Sequence, residues 1–278
     1  MAPITPPRAP SHRLRTPSLP RLSLAPLRGG APELEDARPL VKGNRLTVPV
    51  FLDQEEFLEQ LVLEQGEHVT LVGATQSGKT TLALRWILPT RSFTCVLATK
   101  RRDPGLYPRL AAAGYKLTDD PELDAETTPK VIFRSGLDLA KDRSVKEAKA
   151  LQRQGFERVL TTVIEEGGWA LYGDEIRYLA KDLKLTEELE QLWLQGATEL
   201  VTMIVSTQRP VAIPVVAFES AFHLFLFRTT DLRNIERIAE FEAANMPLLK
   251  WLLPRLADHE VLYIETRTGR MIRTKVRL

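Results

Sequence analysis

The chain is short of several things, and each shortage removes a class of protein. A single cysteine, Cys95, stands among 278 residues, so an intrachain disulfide framework is excluded. A reducing setting, the cytoplasm, is the expectation that follows. Cys95 sits in the apolar run Phe93-Thr94-Cys95-Val96-Leu97-Ala98, where a thiol packs as a small hydrophobe. The four histidines are scattered and suggest no zinc site. No uninterrupted apolar run reaches bilayer-spanning length. The most apolar region, residues 201–227, is broken by Gln208, Arg209, Pro210, Pro214 and Glu219. The N-terminus has no apolar core of a secretory signal. Net charge is only +2, but it is uneven. Residues 1–47 carry eight Lys/Arg against three Asp/Glu, a balance of +5, which leaves −3 for the rest. Within that rest, Arg267, Arg270, Arg273, Lys275 and Arg277 crowd the C-terminal end with no acid among them.

Residues 1–40 are dense in Pro, Arg, Ser and Ala and poor in aromatics. Such a segment cannot bury enough apolar surface to fold alone and is expected to be disordered. It reads as a solvated tail, or as a basic arm that touches nucleic acid or a partner. An organellar transit peptide fits less well, because proline is too frequent for an amphipathic helix. Residues 41–278 are then the folded domain.

Within that domain, apolar strand patterns alternate with helical ones. Strands are expected at residues 45–50, 68–72, 94–99, 131–134, 169–175, 201–208 and 223–228, and a closing hairpin at 260–266 and 271–276. Helices are expected at 54–65, 81–88, 144–166, 185–200, 232–242 and 247–253, and residues 117–130 read as a loop. Strands that are apolar throughout, alternating with helices, predict an α/β fold whose largely parallel sheet is covered on both faces.

The central motif is Gly73-Ala74-Thr75-Gln76-Ser77-Gly78-Lys79-Thr80-Thr81. It fits G-x-x-x-x-G-K-[ST], the phosphate-binding loop, and it lies between an expected strand and an expected helix. Glycines let the backbone turn its N–H groups inward to cradle phosphate oxygens. Lys79 is placed to reach the β/γ-phosphates and Thr80 to ligate Mg²⁺. ATP and Mg²⁺ are therefore the expected cofactors.

Such a loop needs a partner acid. Asp174 and Glu175 end the apolar run Trp169-Ala170-Leu171-Tyr172-Gly173. Asp174 is the candidate Mg²⁺ acid, and Glu175 the candidate base for an attacking water. An acid pair at a helix start is the plainer alternative. Gln208 ends the next strand and can sense a γ-phosphate, because a carboxamide both donates and accepts. Lys100-Arg101-Arg102 follows the expected strand at 94–99, at the sheet edge where α/β folds bind ligands, although a solvated loop is the preferred reading of it.

"LYGDEIRYL" with Asp174-Glu175, followed by "IVSTQRP" with Gln208-Arg209-Pro210, resembles the FtsK/HerA superfamily of P-loop ATPases, over roughly residues 66–275. The resemblance implies a RecA-like core with a C-terminal β-hairpin, ATP at subunit interfaces of a homo-hexamer, and double-stranded DNA in the central pore. It also implies Walker-A roles for Lys79 and Thr80, Walker-B roles for Asp174 and Glu175, and a polar sensor at Gln208. An arginine finger would come from a neighbouring subunit, with Arg228, Arg153 and Arg158 as candidates. No winged-helix module or membrane segment flanks the core, which points toward DNA packaging or transfer. The expected function is an ATP-hydrolysing DNA translocase. A P-loop small-molecule kinase and a nucleotide switch that recruits partners are the alternatives.

Overall fold

The computed structural model describes residues 40–41, 44–45, 47–100, 102–135, 144–240 and 246–278. The expected tail, apart from Leu40, lies outside the described residues, as do Arg101 and the end of the helix expected at 232–242. Two short strands, β1 (Leu40–Val41) and β2 (Asn44–Arg45), pair antiparallel with each other alone.

The main sheet begins at β3 (Val50–Phe51). The strand expected over 45–50 is interrupted, with residues 47–49 irregular, and Pro49 lies there without an N–H for a ladder. Helix α1 (Gln54–Gln60) starts at Asp53, whose carboxylate accepts from the Glu55 and Glu56 N–H groups in a capping box. It stops at residue 60 rather than 65. Strand β4 (His68–Val72) is wholly buried and runs into the glycine loop. Helix α2 (Lys79–Leu82) opens after the loop, widens to a π-helix over Ala83–Ile87 and tightens to a 3₁₀ turn at Leu88–Thr90 around Pro89. The regular helix expected over 81–88 is thus irregular in pitch.

Next come β5 (Thr94–Leu97), α3 (Tyr107–Ala112), β6 (Lys116–Thr118) and β7 (Lys130–Phe133). The sequence pattern did not reveal α3 or β6. Helix α4 (Val145–Glu166) opens on a Ser144–Glu147 capping box and ends at Gly167, φ 69°. Strand β8 (Ala170–Gly173) leads to a π-helical turn at Tyr178–Asp182 and to α5 (Thr186–Gln195). Then follow β9 (Thr202–Thr207), α6 (Val216–Glu219), β10 (Ala221–Phe227), α7 (Leu232–Ala239) and α8 (Met246–Leu252). The chain closes with β11 (Glu260–Glu265) and β12 (Arg270–Lys275), the expected hairpin.

The ten strands stand in the order β3-β12-β11-β10-β4-β9-β8-β5-β7-β6. Only β11 runs against the others, antiparallel to both β10 and β12. Side chains alternate between two cores. One packs Leu171, Met203, Val205 and Leu224 under α4, α5, α7 and α8. The other packs Tyr172, Ile204, Phe225 and Phe227 under α1, α3 and the helix that follows the glycine loop. The sheet is therefore mostly parallel and covered on both faces, as expected. A buried ion pair, Arg273 to Glu260 at 3.1 Å, also donates from Arg273 Nε to the Pro49 carbonyl at 3.0 Å. It ties the short β3 edge to the hairpin.

Candidate nucleotide site

The glycine loop crosses the carboxyl edge of the sheet. The Gly73 N–H donates to the Thr207 carbonyl at 3.1 Å, which fastens the loop's start to the end of β9. A Cβ at Gly73 would lie 2.6 Å from Phe227 Cβ and 2.7 Å from Ser77 Oγ, so no side chain fits. Gly78 holds φ +113°, which L side chains rarely adopt. Gly73→Ala is accordingly expected to cost about 1–3 kcal/mol through overpacking against β10. A wild-type denaturation midpoint in that variant would refute this account of the loop.

Lys79 lies buried with its ammonium donating to the Gly73 and Ala74 carbonyls, each at 2.7 Å. Burial pushes its pKa down to about 8, against the opposing pull of Asp174 and Glu175. Across the loop, the Thr75 hydroxyl donates to Gln208 Oε1 at 2.9 Å. Gln208 thus touches the loop directly.

Asp174 and Glu175 sit in the turn just past β8. They do not come from the strand beside β4, because β9 stands between β4 and β8. The start of α2 spans the gap: the Thr80 hydroxyl donates to Asp174 Oδ1 at 2.9 Å. The Tyr172 hydroxyl donates to the same oxygen at 2.6 Å, and the Ser206 hydroxyl to the Asp174 carbonyl at 2.7 Å. A threonine hydroxyl and a carboxylate held together are hard oxygen donors, so these residues fit a magnesium ion. Glu175 is half-buried, and its pKa is raised by burial and then by Asp174, with Lys79, Arg177 and Lys100 pulling the other way. Lys100, just beyond β5, places its ammonium 3.9 Å from Asp174 Oδ2 and 3.1 Å from Asp103 Oδ2. Burial lowers its pKa, but the acids around it outweigh that and hold it above the ordinary lysine value.

The three candidate arginines are not together. Arg228 follows β10, pairs with Asp258 at 2.7 Å, and lines a cleft of about 540 Å³ with Ala74, Thr75, Gln76 and Ser77. Arg153 and Arg158 lie on α4. Arg153 pairs with Glu188 at 3.5 Å and borders a separate cavity of about 430 Å³ with Lys181 and Lys184. Arg158 pairs with Glu122 at 2.9 Å.

Tyr172, Ser206 and His259 escaped the sequence reading. Tyr172 had a signal, since a residue two before Asp174 faces the same side at a strand's end. Ser206 sits in the apolar run of β9 with no local cue. His259 comes from far along the chain, with φ 63°, and its Nδ1–H donates to the Ser77 carbonyl at 3.2 Å. Nothing near His259 in sequence points to the loop.

No family model matches the chain, and no curated protein matches its sequence. Solved structures do match. The genome packaging NTPase B204 of Sulfolobus turreted icosahedral virus 2, in complex with AMP, aligns over 78% of this chain and 100% of its own, with TM-score 0.56 and 17% identity. B204 of Sulfolobus turreted icosahedral virus, described as a DNA-packaging ATPase, aligns over 78% and 100%, with TM-score 0.54 and 16% identity. VirB4 of Thermoanaerobacter pseudethanolicus aligns over 76% and 89%, with TM-score 0.53 and 11% identity. The parallel sheet, the glycine loop at its carboxyl edge and these likenesses together establish that the chain has the RecA-like P-loop ATPase fold.

Proposed function

We propose that this chain is an ATP-hydrolysing motor of the FtsK/HerA type that moves double-stranded DNA as a ring of identical subunits. One observation carries the reading. The Thr80 hydroxyl and the Asp174 carboxylate meet at 2.9 Å, the first adjoining Lys79 in the loop and the second adjoining Glu175 in the turn after β8. That combination supplies phosphate binding, a metal site and a candidate base for water, which phosphoryl transfer to water needs.

In this reading the loop amides and Lys79 hold the triphosphate. Bound Mg²⁺, held by Thr80 and Asp174, would neutralise charge on it. Glu175 takes the proton of the attacking water, and its raised pKa suits it to the task. Gln208 senses the loop through Thr75. We assign Arg228 to the chain's own site, because it shares the cleft of residues 74–77. The DNA-packaging role of B204 supports DNA as the cargo, whereas the C-terminal arginines are engaged within the chain, Arg273 with Glu260, Arg277 with Glu55 and Arg267 with Glu67.

The test is the ATPase rate with and without duplex DNA, at several salt concentrations. Stimulation is expected, with the DNA concentration needed rising steeply with salt, because phosphate contacts release counterions. A rate indifferent to duplex DNA at every salt concentration would overturn the motor reading.

A further inference from the structure

We propose that Lys100 is an electrostatic placeholder for the divalent cation, so that its ammonium and Mg²⁺ compete for Asp174. The inference rests on the nucleotide site just proposed and adds a residue that regulates metal entry.

The placement follows from the sheet. Strand β5 is parallel to β8, with Val96 opposite Tyr172. The residues that follow each strand therefore reach the same edge. The two oxygens of Asp174 have different partners. Oδ1 accepts from Thr80 and Tyr172, while Oδ2 lies 3.9 Å from the Lys100 ammonium. Lys100 also has a second carboxylate within reach, Asp103 Oδ2 at 3.1 Å. Asp103 is itself fixed, because its Oδ1 accepts from the Gly105 and Leu106 N–H groups at 3.1 and 3.0 Å. The Lys100 carbonyl accepts from the Tyr107 hydroxyl, which anchors the backbone. The lysine side chain is 55% exposed and can move while its backbone stays.

The consequence is a two-position cation. Without metal, Lys100 partly neutralises the Asp174–Glu175 pair and favours the metal-free triphosphate. A doubly charged ion held by Thr80 and Asp174 would repel the ammonium, and Asp103, at 3.1 Å, would remain its nearest carboxylate. One unit charge at this range in a wet site is worth about a fivefold change in an equilibrium constant. Because coupling is reciprocal, Lys100 must weaken the advantage that Mg²⁺ confers on nucleotide binding.

The experiment measures the affinity of the full chain for a fluorescent ATP analogue, once with excess EDTA and once with saturating Mg²⁺. It compares wild type, Lys100→Met and Lys100→Arg. Lys100→Met is expected to widen the ratio of the two affinities about fivefold, mainly by weakening the metal-free complex. Lys100→Arg is expected to keep the wild-type ratio. The same ratio in all three proteins would overturn the proposal, as would equal weakening under both conditions, which marks a merely structural residue. Nucleotide binding with an unchanged ratio would leave the nucleotide-site reading intact. Absence of nucleotide binding by the wild type would overturn both.

Discussion

Glu175→Gln is expected to bind ATP as the parent does and to lose about 10²–10⁴ in turnover. The amide keeps the shape of the carboxylate but cannot accept the water's proton. Binding is expected to survive because the residues proposed to hold the triphosphate, the loop and Lys79, are untouched. The pH profile provides a second check. Burial and the neighbouring Asp174 raise the Glu175 pKa. In the proposed mechanism the base form is the active one, so the rate is expected to be full well above that raised pKa and to be lost as pH falls through it. Its acid limb should lie at higher pH than that of an ordinary glutamate, and it should vanish in the Gln variant. Single-turnover kinetics and an equilibrium nucleotide titration separate the two effects. Undiminished turnover would place the base elsewhere.

Lys79→Ala should lose about 10²–10³ in turnover, the scale for removing one charge-stabilising donor. The wild type should also show a proton signature that this variant lacks. With its pKa held near 8 by burial, Lys79 is part-neutral at pH 8–9 before nucleotide arrives. A triphosphate beside it favours the charged form and raises that pKa. Binding in this window must then take up protons, up to about one, and the uptake must fade at pH 7 where Lys79 is already charged. Calorimetry in buffers of different ionisation enthalpy measures it. Buffer-independent heats at pH 8–9 would mean that Lys79 is fully charged before binding.

The parts of the fold that were legible in the sequence share a physical cause. Strands β4, β9 and β10 are buried on both faces, so their apolar runs are continuous and announce themselves. Helix α4 was legible to its ends because Ser144 caps one and Gly167 the other. Strand β6 was not, since it is three residues long, mostly exposed, and carries Lys116 and Thr118. An edge strand held by one neighbour needs no apolar pattern. Helix α3 holds a single fully buried side chain, Leu110, which gives no period to read. At the site, the glycine loop and the Asp174–Glu175 pair were visible because local chemistry dictates their residue types. Lys100 was noticed at the sheet edge but could not be joined to Asp174, because the pairing of β5 with β8 is a tertiary fact. His259 depends on the reversed strand and had no local trace.

That reversed strand has a mechanical consequence. Every other strand of the sheet delivers its end to the edge that carries the glycine loop, whereas β11 delivers its beginning, through Asp258 and His259. Its other end turns at residues 266–269 on the opposite rim, where Arg267 approaches Glu67 at 3.7 Å. Six residues of ladder-bonded strand make a stiff strut about 20 Å long. At its near end His259 Nδ1–H donates to the Ser77 carbonyl, so the strand's beginning is fastened to the glycine loop. Hydrogen-bonded to β10 on one side and β12 on the other, β11 joins the two rims of the sheet as part of one ladder, so the turn at 266–269 and the His259 contact with the glycine loop are ends of the same rigid element.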